Sequence, residues 1–164
     1  MGFGWKRVAL ATVTANACVL TAASVASAHA GGSTTGGFAA GFAHPFLGVD
    51  HLAAMIAIGA WAWQQGGRAV YLVPATFVGV MILGAALGQS DVALPMAELG
   101  ITGSVVVLGL LVATAVRVPL VAAMLATGVF ALVHGHAHGT EMPAGVAAGA
   151  YAAGFVSATI ALHA

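Results

Sequence analysis

The sequence predicts an all-α membrane protein: a cleaved N-terminal signal peptide, then a compact bundle of about five transmembrane helices. Three observations predict it. Charged residues make up only 5% of the 164 positions, where soluble domains carry about 25%. Hydrophobic residues reach 61%, and the mean hydropathy is +1.05. The 23 glycines lie inside apolar runs rather than in polar linkers. A water-facing surface cannot be covered by so few charges, which excludes an ordinary soluble enzyme. Zero net charge without a basic run excludes nucleic-acid binding.

The elements follow in order. Lys6 and Arg7 precede an apolar stretch from Val8 to Val25, and Ala28-His29-Ala30 is a small-residue cleavage site. Residues 1–30 therefore read as a signal peptide and residues 31–164 as one polytopic domain. Cys18, the single cysteine, leaves with the peptide, so thiolate metal chemistry is excluded from the mature chain. A bilayer core takes about 20 apolar residues per helix. Five spans are expected, at 38–64, 69–88, 94–115, 118–137 and 143–163. With the mature N-terminus in the periplasm and the C-terminus in the cytoplasm, Arg68 and Arg117 both fall inside, as the positive-inside rule demands. Trp61, Trp63 and Tyr71 flank the same turn as interfacial aromatics. Gly84-x-x-x-Gly88 and Gly145-x-x-x-Gly149 have helix-packing spacing.

Ionisable residues are costly in a bilayer and need a reason to be there. The first group is His44-Pro45-Phe46-Leu47-Gly48-Val49-Asp50-His51. Seven residues separate the two histidines, which would put them on one helix face starting or kinking at Pro45. Asp50 can ligate directly or orient an imidazole, and Met55 continues the face. The second group is His134-Gly135-His136-Ala137-His138-Gly139-Thr140-Glu141. His134, His138 and Glu141 line one stripe if the helix continues through the glycines; His136 points elsewhere unless a loop brings it back. Glu98 is a lone acid early in the third span, open to a ligand or a proton-carrier role, and Asp91 reads as a solvated loop residue. His163 reads as interfacial, and Gln64 and Gln65 as polar caps. The five-span topology brings all three clusters to the periplasmic side. An imidazole–carboxylate site there suits Ni²⁺, Co²⁺, Zn²⁺ or Cu²⁺.

Alternatives of other classes remain open. The same site fits a membrane metal chaperone through which nothing passes, or a haem protein with histidines on facing helices. Met96 and Met142 near the outer face allow a copper version. An enzyme is not expected: the chain has no His-Glu-x-x-His motif, and Ser104 and Ser157 have no base near in sequence. No nucleotide-binding loop of the Gly-x-x-x-x-Gly-Lys type is present, so transport would be passive, potential-driven, or proton-coupled through Glu98 or Asp50.

His44-Pro-Phe-Leu-Gly-Val-Asp-His51-Leu-Ala-Ala-Met55, together with His134-Gly-His-Ala-His-Gly-Thr-Glu141, resembles the HupE/UreJ family. The leader, the size and the Glu98 region fit as well, so the resemblance covers essentially the whole mature chain. It implies a hydrogenase or urease accessory protein of the inner membrane, a permease for nickel and sometimes cobalt. It further implies His44, Asp50 and His51 as the first metal ligands, with His134, His138 and Glu141 following. Implied partners are membrane lipid, the transported ion and nickel-enzyme maturation proteins. The His44-to-His51 spacing is also similar to the His/Asp motif of larger nickel/cobalt transporters, with one residue more between the first His and Asp-His.

Overall fold

The computed structural model describes residues 37–142 and 147–163. The signal peptide expected at 1–30, with Cys18 and His29, lies outside the described residues, as does Gly145. Among the described residues six helices follow one another: α1 Gly37–Leu47, α2 Val49–Gln65, α3 Ala69–Gln89, α4 Ala97–Thr114, α5 Leu120–Thr140 and α6 Ala148–His163. Among the described residues, α3, α4 and α5 are long and apolar enough to cross a membrane, and α1 with α2 makes a fourth if the bent pair is one span. The sixteen-residue α6 is apolar but shorter. The five continuous spans read from the sequence are thus replaced by three uninterrupted ones, one broken pair and one short helix.

The break explains the difference. The chain bends by 80° between α1 and α2. The hinge is Gly48, whose extended backbone interrupts the helix (φ −94°, ψ 112°). The helix does not start at Pro45, which lies within α1; the break falls three residues later, at Gly48. Asp50, in the first turn of α2, accepts the His51 backbone N–H at 2.8 Å, which secures the new helix start.

Glycines set the packing. A Cβ at Gly135 would strike the Met81 carbonyl, and one at Gly139 the Ala85 carbonyl. Reciprocally, Gly84 abuts Leu132 and His136, and Gly88 abuts His136 and Thr140. The partners advance together along both chains, so α3 and α5 run parallel with backbones in contact. In a second pair, Gly41 abuts Tyr151 and Gly154 abuts Phe38, so α1 runs counter to α6. Gly149, half of an expected packing motif, meets nothing within 4 Å.

The core joins Met55, Ile58 and Trp61 of α2 to Phe77 and Met81 of α3 and Leu108 of α4. Leu83, Leu110, Leu125 and Val129 point outward, as lipid-facing residues do. Trp61 is not the interfacial anchor expected of it; it is 1% exposed. Its Nε1–H donates to the Val116 carbonyl at 3.0 Å. Trp63 and Tyr71 are exposed. Gln64 and Gln65 are more than caps. Gln64 donates to Val112 O at 3.1 Å and Gln65 to Val116 O at 2.9 Å, while the Gln65 side-chain oxygen accepts from Val118 N–H at 3.2 Å. These bonds bring the α2–α3 and α4–α5 turns together, and with them Arg68 and Arg117 to one end of the bundle.

Candidate metal centre

The opposite end holds the histidines. α5 does not stop at its glycines. It continues to Thr140, because Gly135 and Gly139 serve helix contact with α3 rather than termination. His134 and His138 are therefore one turn apart on one face, with Glu141 just past the helix end.

His138 is the hub. Its Nδ1 is hydrogen-bonded to His44 Nε2 at 2.9 Å. Its Nε2 is bonded to His51 Nδ1, also at 2.9 Å. His44 and His51 do not share a helix face, as their spacing suggested; they belong to α1 and α2 and reach His138 from two directions. Glu141 Oε2 lies 3.6 Å from both His44 Nε2 and His138 Nδ1. The His138 and then the His44 imidazole beside it hold the Glu141 carboxyl down at about 2, so it is ionised at any physiological pH.

Two donor groups result, each within 4.8 Å: His51, His134 and His138, which is inner and buried, and His44, His138 and Glu141, which is outer and more open. Metal–imidazole bonds of about 2.1 Å at right angles place neighbouring nitrogens about 3 Å apart. The 2.9 Å contacts already match that separation. Binding needs the rings to turn until their lone pairs converge, with loss of the protons between them.

The surroundings orient the rings. Phe155 of α6 packs against His138, His51 and His44 with centroids 4.8, 5.3 and 5.9 Å apart. His134 Nε2 meets Ser104 Oγ at 2.8 Å. The Ser104 hydroxyl donates to Ile101 O at 2.7 Å. Its proton being committed there, Ser104 accepts from His134 Nε2–H and leaves Nδ1 as the lone pair. A cavity of about 270 Å³ between Met81, Ala85 and Gln89 of α3 and Tyr151 and Phe155 of α6 reaches His138.

Other residues singled out in the sequence are not among these donors. Asp50 is exposed and bonded at its own helix start. Glu98 is exposed in the first turn of α4. His136 points the other way and donates from Nε2 to Val92 O at 2.6 Å, pinning the α3–α4 loop. Met55 is fully buried in the core. Asp91 is exposed in its loop with positive φ. Sequence reasoning named Ser104 only as a serine without a base near in sequence and His163 only as interfacial, and it missed Phe155. The i,i+30 pairing of Ser104 with His134 has no local signal. His163 is not interfacial: its ring packs 5.5 Å from Phe77.

The HupE / UreJ protein family profile matches residues 17–164. Protein HupE of Rhizobium leguminosarum bv. viciae is 46% identical over 151 residues, which are 92% of this chain and 78% of that protein. No solved structure matches the chain. The matched region contains every helix that contributes to the histidine cluster, and on that footing the chain belongs to the HupE/UreJ family.

Proposed function

We propose that the protein takes up a divalent metal ion, Ni²⁺ before Co²⁺, across the bacterial inner membrane to supply hydrogenase or urease maturation. The observation that carries this reading is the convergence of His44, His51, His134, His138 and Glu141 from three helices at the end of the bundle away from Arg68 and Arg117. With basic residues inside, that end faces the periplasm. The first ligands are His44, His138 and Glu141, where the exposed carboxylate attracts the hydrated cation. The ion then sheds water to the imidazoles of His51, His134 and His138. Asp50 and Glu98 act outside the donor shell, as a helix-start residue and an acid at the entrance. The membrane potential favours inward movement of a +2 ion by ~2.3 kcal/mol per charge per 100 mV.

The test is radiolabelled nickel accumulation in cells producing the wild type, His51→Ala or His138→Ala. Accumulation by the wild type above an empty vector, lost in both variants, is expected. Equal accumulation in all three overturns the site. Metal binding by purified protein without ion entry into liposomes favours a membrane chaperone instead.

A further inference from the structure

The histidine cluster accounts for entry and leaves the inner half of the bundle without a ligand. Among the described residues, unpartnered buried polar atoms mark a route there. His51 Nε2, Thr127 Oγ1, Gln64 Oε1 and both ring nitrogens of His163 are buried without a hydrogen bond. The Thr159 backbone, one turn back, lies beside the His163 ring without closing a bond of ordinary geometry. Native interiors leave few such groups; two more, His136 Nδ1 and Tyr151 Oη, sit at the cluster end, and the others extend inward from it.

Register places them. His51 packs on Phe155, and Gly59, two turns further along α2, abuts the His163 backbone. α2 and α6 therefore run parallel here, and His163 lies about two turns inward of His51. Phe77 stands between the levels: its ring centroid is 6.0 Å from His134 and 5.5 Å from His163. The phenyl group is fully buried. In the parallel α3–α5 register, Gly135 sits opposite Met81, which puts Thr127 level with Val73, one turn inward of Phe77. Gln64 lies five residues beyond Gly59.

We propose that His163 is an inner receiving ligand for a divalent cation, separated from the outer imidazole cluster by the Phe77 ring. The proposal rests on the uptake reading and extends it to the exit. Phe77 closes the passage to water, yet an aromatic face attracts a partly dehydrated cation. A single imidazole binds more weakly than the three-donor groups of the cluster, as release requires.

Two measurements test it. In a Cys18→Ser background, His163→Cys places a thiolate at the proposed station. Co²⁺ added to this protein in nanodiscs should give the ligand-field bands of the cluster and, in addition, a thiolate-to-cobalt charge-transfer band absent from Cys18→Ser alone. Cluster bands without the charge-transfer band overturn the proposal; no cobalt bands at all overturn both the inner station and the outer site. In proteoliposomes, His163→Gln should leave the tighter nickel binding of the outer cluster unchanged while lowering the initial rate of nickel entry by about tenfold, the lower end of what altered metal shells cost. Unchanged entry overturns the proposal. A charge-transfer band with no nickel entry in the wild type removes the transport reading and leaves the inner station standing.

Discussion

His138 is the residue whose loss should cost most, because it alone belongs to both donor groups. In His138→Ala, each group falls from three donors to two. Loss of an outer-shell partner typically lowers metal affinity 10–100-fold, and a shared ligand should cost at least the upper figure, about 2.8 kcal/mol at 1.4 kcal/mol per tenfold. The same substitution breaks the hydrogen bonds to His44 and His51. At about 1 kcal/mol net each, these lower stability by about 2 kcal/mol, so folding must be followed separately. The assay is isothermal titration of purified protein with Ni²⁺, with thermal unfolding of the metal-free protein alongside. His134→Ala and Glu141→Gln each touch one group and should lose less than His138→Ala. Asp50→Asn and Glu98→Gln, outside both groups, should stay within about threefold of the wild type, well short of a ligand loss. If His138→Ala binds nickel as tightly as the wild type, or if Asp50→Asn matches its loss, the two-group reasoning fails.

Three further outcomes are expected. Ser104→Ala frees the His134 tautomer and should weaken Ni²⁺ binding about 10–100-fold, measured by the same titration; an unchanged affinity would sink the orienting role. Gly135→Leu forces a side chain onto the Met81 carbonyl and should destabilise the fold by at least the ~1–3 kcal/mol of core overpacking; an unaltered unfolding temperature in detergent contradicts the α3–α5 contact. The Glu141 carboxyl is depressed by its imidazole neighbours. Its stabilising contribution is therefore complete above the ordinary carboxylate pKa and is lost only as pH falls toward about 2. Metal release on acidification should instead follow protonation of the imidazole ligands, at a higher pH than the Glu141 carboxyl. A release step that is abolished by Glu141→Gln would refute this assignment.

Much of the site was legible because its signals are local. His134 and His138 are one turn apart, and the arginines gave the polarity that separates the basic end from the histidine end. What the sequence could not give is which way each helix turns and crosses. The seven-residue spacing of His44 and His51 suggested a shared face, but Gly48 breaks the helix, and they meet only through His138. Gly135 and Gly139 carry the same letters whether they end a helix or admit a neighbour. Only the α3 backbone opposite them decides, and it keeps His138 and Glu141 in line. Asp50 and Glu98 reach the correct end of the bundle but not the cluster, since lateral position depends on packing between distant segments. Ser104 and His163 were passed over for the same reason: their partners lie thirty or more residues away.

The backbone seam between α3 and α5 has a mechanical consequence. With glycines where side chains would normally act as bearings, neither helix can slide or roll on the other without driving an α-carbon into a carbonyl oxygen. The two therefore behave as a single beam, and the histidines mounted on α5 are fixed relative to Phe77 on α3. In the proposed uptake, a change of shape would fall at Gly48, the fulcrum between α1, itself seated on α6, and the rest of the bundle.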